Sequence, residues 1–446
     1  MVIRLNSLFT ITAVSFLGTL APARAQAPDQ ITVRDLAGAH TALHRDGAHA
    51  RAKMAAGTGT AADGPANPAA PAAAFPVADT IPSFNGQFAA KGFDPSGNPN
   101  NVWLYNMAGT PPKAGKTTTF NAPIIPVSLD LRDARGFPRS INGHPLFADA
   151  TQYVTPVLNS PVFQNHQYTS ADEPTQFTDA VQRASFGDDA KDDWHTLLKP
   201  AVKTARVMTL NQAPTCGPVG GFCTYQFALN PDGTCCLFVK IDFDTFINKL
   251  FPPTFPVDPN TVIGAAELAG DMTTQDISTL LFPNTFLFIG DPKNCCILGF
   301  HDNDVEPGIP SNGNRVRFYV MNFSSWISPG VFGGLADITA LSHEMAETFA
   351  DPFVFFDGVH NITPWWLSPN GNCQDTLEVG DVIEGLPNQT FPIAMHGFTY
   401  HPQNEALLPW FTFQKPFEHD GQKGYSYPDL TVLTALSPLE KAGCVK

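Results

Sequence analysis

The sequence predicts an α+β fold with a mixed sheet, and three observations predict it. Short β-rich runs fill much of the middle of the chain. Two segments with helical spacing interrupt or follow them. The later of these carries the densest set of chemically active side chains in the chain. The order strand, helix, several strands, helix suits strands and helices packed in one body rather than a repeating βαβ series.

The body takes shape near Thr117. Residues 124–131 (IIPVSLDL) read as a strand. Residues 176–198 are helical in pattern, broken near Gly187. Residues 205–210 and 236–243 read as strands, followed by 285–289, 296–301 and 316–323. The last alternates well (VRFYVMNF), as a half-buried strand should. Gly333-Gly334 then leads into a helix over 337–350, and the tail beyond Pro352 is loop-rich, with short strands at best. Before the body, 83–116 is rich in Gly, Asn and Pro but holds Phe84, Phe88, Phe93, Trp103 and Tyr105, which suits irregular strands packed on it.

The N-terminus predicts export. Arg4 supplies a positive start, 8–20 an apolar stretch, and Ala23-Arg24-Ala25 a small-residue cleavage site. The expected organisation is a signal peptide over 1–25, an Ala/Pro/Gly-rich linker or pro-segment over 26–80 that stays disordered, an α+β body over 81–352, and a loop-rich part over 353–446 that completes the site. No later run is long and apolar enough to predict a spanning helix. The formal net charge of −15, with few charged residues overall, argues against nucleic acid and anionic membrane as partners. Thirty-five Phe can fill a sizeable core, and 41 Pro demand many turns.

Eight cysteines fit an exported, disulfide-bonded chain. A vicinal bridge is disfavoured, so Cys235-Cys236 and Cys295-Cys296 are each expected to tie to separate places. A thiolate zinc site around Cys216, Cys223, Cys235 and Cys236 is the weaker alternative, because C-x2-C spacing is absent.

The later helix reads DITALSHEMAETFADP over 337–352. Asp337 is the expected N-cap, and Pro352 forces the helix to end. At 100° per residue, Glu347 sits about 40° round from His343 and one turn on. An imidazole and a carboxylate therefore share one face, as the two ligands of H-E-x-x-H do, with glutamate in place of the second histidine. Both suit Zn²⁺. Glu344 beside them takes the place of the general base in such a helix. The bland alternative is a solvated polar face or an i,i+4 pair worth a few tenths of a kcal/mol. Apolar flanks (Leu341, Met345, Ala346, Phe349, Ala350) instead place the polar stripe at a buried or cleft-facing edge.

A metal needs further ligands. Glu378 and Asp381, in LEVGD, offer two carboxylates three residues apart, and Gly380 between them argues against a helix there. Asp351, His396 and His401 are alternatives, and Tyr400 could offer an oxyanion-stabilising hydroxyl. Calcium on 301–304 (HDND) lacks the spacing and glycine of an EF-hand loop. Trp365, Trp366 and Trp410 could stack on sugar, though tryptophans fill cores more often. There is no G-x-S-x-G and no phosphate-cradling glycine loop.

The strings LSHEMAE, DPF, LEVGD and GFTYHPQ, together with FNAPIIPVSLDL, TDAVQRASF and NCCILGFH, resemble a family of uncharacterised exported bacterial proteins over most of the chain from about residue 85. H-E-x-A-E followed by E-V-x-D is also similar to the phosphate-induced, Exordium-like proteins of plant cell walls. The resemblance implies a recurrent His/Glu/Glu/Asp site, and it draws Glu378 and Asp381 toward the helix pair. The leading expectation is therefore an exported zincin-like hydrolase, peptidase-like, acting on an extracellular peptide or polymer. His343, Glu347 and Glu378 would hold zinc, Glu344 would be the base, and Asp381 would orient a ligand. The competing expectation is a non-catalytic exported or surface-associated protein with a structural metal or acidic cluster.

Overall fold

The computed structural model describes residues 29–33, 78–90, 101–141, 143–169, 173–217, 221–229, 236–253, 257–354, 366–374 and 376–436. The signal peptide expected over 1–25 lies outside them. The fold is α+β and strand-rich.

The first strands, β1 (Ser83–Ala90) and β2 (Asn101–Ala108), form an antiparallel ribbon. The backbone of the main sheet is β3 (Thr118–Arg132), buried along most of its length. Its first half pairs in parallel with β4 (Thr196–Val202) and its second half with β5 (Arg206–Asn211). A second sheet contains β6 (Tyr225–Leu229) and β7 (Leu237–Asp242), with β7 parallel to β9 (Thr285–Phe288) and β9 antiparallel to β10 (Cys295–Ile297). The main sheet continues from β3 through β8 (Ile277–Pro283) and β12 (Arg317–Phe332) to its edge, β11 (Gly299–Glu306). β8 and β12 are parallel to their inner neighbours, and β11 is antiparallel. The sheet is thus mixed.

The chain passes between the two sheets at single residues. Only Asn284 separates β8 from β9, and only Leu298 separates β10 from β11. Asn284 has φ 42°, a left-handed value that asparagine tolerates, and its side chain accepts a hydrogen bond from the Ser328 N–H. Such corners let one strand serve two layers. Phe282, Phe300 and Phe323 from the main sheet meet Phe227 and Leu287 from the second, with Phe246 of α2 (Phe243–Leu250) among them. Ring centroids at 4.8–6.4 Å between Phe246, Phe282, Phe300 and Phe323 explain where many of the phenylalanines go.

The opposite face of the main sheet is covered by the motif helix. We label the longer helices α1 (Phe177–Phe186), α2, α3 (Val262–Ala269) and α4 (Thr339–Ala350). Leu341, Met345 and Phe349 of α4 pack on Phe120, Ile124, Leu281 and Val320, while Ala346 and Ala350 face Val379, Val382 and Leu408 of the C-terminal part. All twelve residues of α4 are buried, so the solvated-face reading of its polar stripe does not hold.

Several expectations need correction. Residues 197 and 198 belong to strand β4, not a helix. Gly187, with φ 50°, ends α1. Side chains at its start then hold the strand, Asp179 accepting from Thr196 N–H at 2.6 Å and Gln176 from Leu198 N–H at 2.7 Å. Helix α4 begins at Thr339, with Ile338 as its N-cap residue. Asp337 lies in the short strand β13 (Leu335–Asp337) and accepts from the His401 N–H at 2.8 Å. Cys295 and Cys296 bridge each other across a cis peptide that sets their Cα atoms 3.0 Å apart, contrary to the expectation of separate partners. Cys216 pairs with Cys223 and none of the described cysteines is free, which leaves no thiolate zinc site among them. Within the span expected to stay unpacked, 29–33 lies along β6: Asp29 is buried, ion-paired with Arg139 and hydrogen-bonded by Gln212 at 2.6 Å. No helix among the described residues is long and apolar enough to cross a membrane.

Candidate metal centre

Four stretches of chain converge beneath α4. The helix itself brings His343, Glu344 and Glu347. The turn after β-poor chain at 376–385 brings Glu378 and Asp381. The edge strand β11 brings His301, and the segment before residue 406 brings Gln403 and Glu405. All eight are buried.

The two histidines anchor two halves. His343 Nε2 stands 3.2 Å from Glu347 Oε2, 3.5 Å from Asp381 Oδ1 and 3.9 Å from Glu344 Oε1. His301 Nδ1 stands 3.5 Å from the same Glu347 oxygen, 3.7 Å from Glu378 Oε2 and 3.8 Å from Glu344 Oε2. Potential ligand atoms of His343, Glu347 and Asp381 all lie within 4.8 Å of one another, and so do those of His301, Glu344 and Glu347.

Surrounding groups orient side chains of the cluster. Gln403 Nε2 donates to the Gly380 carbonyl at 2.6 Å, which turns Gln403 Oε1 toward His343 Nδ1 at 3.2 Å. Nδ1 must then carry the proton, and Nε2 is left as the ligand atom. Glu347 Oε1 accepts from the N–H groups of Gly380 (3.1 Å) and Asp381 (3.3 Å), leaving Oε2 to face both imidazoles. Thr376 donates to Glu378 Oε1 at 2.9 Å, leaving Oε2 to face His301.

Two glycines make room for this. A β-carbon on Gly380 would come within 2.5 Å of His343 Nδ1, and one on Gly299 within 2.5 Å of Glu344 Oε1. A cavity of about 40 Å³, lined by Gly299, His343, Glu344, Asp381, Gln403 and Cys296, reaches the His343 half. That is room for a few waters beside the imidazole.

The electrostatics follow from burial and crowding. Burial alone would depress both imidazoles. For His343 it is outweighed by Glu347, Glu344 and Asp381, and for His301 by Glu378, Glu344 and Glu347, so both are raised well above the usual histidine value. Burial raises Glu344, with His343 opposing. Burial also pushes Glu405 well above the carboxylate range; Glu347, Glu344 and Asp381 add to this, and neither of its oxygens has a hydrogen-bond partner. These groups hold protons that a cation could replace.

The donor set fits a metal. Imidazole nitrogen and carboxylate oxygen are ligands for zinc and its neighbours, at about 2.0–2.2 Å. Two such ligands on one ion stand roughly 3–3.5 Å apart, which overlaps the lower end of the 3.2–3.9 Å separations here. Both nitrogens of the buried His301 lack a hydrogen-bond partner, which is costly unless something else binds them.

Of the residues singled out in the sequence, His343, Glu344, Glu347, Glu378 and Asp381 are brought together. Asp381 approaches His343, whereas Glu378 approaches His301. The others lie elsewhere. His401 Nδ1 pairs with Asp337 at 2.6 Å, and the Tyr400 hydroxyl donates to the Pro156 carbonyl at 2.9 Å. Asp351 is buried at the helix end, where its N–H donates to the Glu347 carbonyl at 2.7 Å. His396 lies at the turn of a small ribbon with φ 51°. Trp410 is fully buried and donates to the Ala435 carbonyl, so it offers no sugar platform; Trp365 lies outside the described residues.

Sequence reasoning missed His301, Gln403 and Glu405 as members of the site. The strand expected over 296–301 runs on through Glu306, so HDND is not a calcium loop, and period-2 alternation separates its side chains. His301 joins the centre under α4, while Asp304 groups with Glu267 and Glu306. Comparison with family models, curated proteins and solved structures finds no match to this chain.

Proposed function

We propose that the protein is an exported, metal-dependent hydrolase with a zincin-like helix, acting on peptide bonds. The observation that carries this reading is the buried triad His343 Nε2, Glu347 Oε2 and Asp381 Oδ1, with the His343 and Glu347 atoms oriented by the hydrogen bonds around them. Zinc is the metal that the donors suit best. A bound ion would acidify a water and polarise the scissile carbonyl. Glu344 Oε1 faces the cavity beside His343 and is placed to accept that water's proton. Burial raises its affinity for protons, the direction that a carboxylate base needs. Gln403 holds the His343 tautomer, and the Gly380 and Asp381 N–H groups hold Glu347. The disulfides and the N-terminal sequence support export.

The test is hydrolysis of a broad peptide library by the purified chain, with and without chelator, alongside Glu344→Gln. The expected result is zinc-restorable cleavage that Glu344→Gln loses while still binding metal. Metal-free protein whose stability ignores both zinc and chelator would sink the reading.

A second reading has its own observation. The cavity is small and every ligand is buried, which also suits a structural ion holding the C-terminal part to the sheet. Metal binding with no cleavage by either form across the library would favour it.

A further inference from the structure

We infer that the centre is dinuclear, with a second divalent ion held on the His301 side; this rests on the reading above that the cluster binds metal. The ligand atoms fall into two sets rather than one. His343 and Asp381 stand at one end, and His301 and Glu378 at the other. Glu347 lies between them, with the same Oε2 3.2 Å from one imidazole and 3.5 Å from the other. Its second oxygen is held by two backbone N–H groups, so Oε2 is the atom to be shared. Glu344 also spans the halves, Oε2 toward His301 and Oε1 toward His343. It can therefore give Oε2 to the second ion and keep Oε1 for the water.

Two features call for the second ion. A centre with one ion at His343 leaves His301 buried with both ring nitrogens unbonded, and His301 contributes nothing to that triad. Charge argues the same way. Glu344, Glu347, Glu378 and Asp381 carry four negative charges when ionised, which two divalent ions balance with both imidazoles neutral and available as ligands; uncompensated buried charge is costly. Histidine with several carboxylates suits zinc, manganese or ferrous iron.

The test is titration of the metal-stripped full chain with Mn²⁺, followed by electron paramagnetic resonance, with elemental analysis of the zinc-loaded protein beside it. Ions that share one carboxylate oxygen couple magnetically. The expected result is two ions per chain, with the six-line signal of the first equivalent broadened away by the second. One ion per chain with an uncoupled signal overturns the dinuclear centre and leaves the hydrolase reading standing. No binding removes both. His301→Gln is expected to fall to one ion while keeping the His343 half; two ions in that variant would overturn the assignment. If His301→Gln does not fold, the wild-type titration decides alone.

Discussion

Gly299 lies directly against the carboxylate of Glu344, so close that a β-carbon there would sit 2.5 Å from Oε1. Strand β11 can pass under the motif helix only because this position has no side chain. Gly299→Ala is expected to displace Glu344, destabilise the fold by about 1–3 kcal/mol and reduce hydrolysis more than metal content. Chemical denaturation and elemental analysis of the same preparation check it; full activity in a stable Gly299→Ala protein would refute the placement of Glu344.

Gly380 has the same relation to the His343 ring, and its effect should differ. Gly380→Ala pushes on a ligand and on the N–H groups that hold Glu347. Metal affinity is expected to fall about 10–100-fold, the range for lost supporting contacts. Competition with a chromogenic chelator measures it.

The pH dependence of the metal-free protein has a definite sign. His301, His343 and Glu405 all have raised affinities for protons in the fold. A raised group stabilises fully below its unfolded value, and the gain is lost as pH rises through the folded one. The unfolded values are about 4.3 for glutamate and about 6.5 for histidine. Stripped protein is thus expected to lose stability from about pH 5 upward, more steeply above about 6.5. Metal should reverse the slope, because protons compete for its ligands. Thermal melts from pH 5 to 8, with and without zinc, show whether the two curves diverge.

Glu405 isolates one part of that behaviour. Glu405→Gln keeps the shape and removes an acid that the fold must hold neutral. Stability of the stripped protein at pH 8 is expected to rise by about 1 kcal/mol or more, with less change at pH 5. A loss at pH 8 would mean that the carboxylate itself is needed.

Arg139 ties residue 29 to the body through the buried Asp29, and its guanidinium also lies over the Phe227 ring at 5.1 Å. Arg139→Ala leaves that carboxylate without its cation, at a cost of about 3 kcal/mol. Limited proteolysis should then cut near residue 30 faster than in the unaltered chain.

How much of this was legible beforehand depends on the kind of signal. The His343/Glu347 pair was readable because helical geometry is local: four residues fix the relation. Glu378 and Asp381 could be named but not assigned to an imidazole, since no period links a turn to a helix. His301 falls at the end of the strand expected over 296–301, but nothing local to a strand says which helix its side chain will meet. Strand β8 was missed because ISTLLFP, buried on both faces, shows no alternation at all. Leu197 and Leu198 were misread because helical spacing continued past Gly187, while the bonds that hold them in β4 come from Asp179 and Gln176 across the fold.

The ligands come from residue 301, from 343–347 and from 378–381, with Gln403 and Glu405 behind them. A chain delivered from its N-terminus cannot assemble this set until almost all of it has arrived. If the centre binds metal as proposed, loading would be a late event, after the sheet has formed. An ion captured then would work as a clasp across long loops, which gains most where the spans are long. The metal bound would be the one supplied by the place where folding finishes, whatever was abundant where synthesis began.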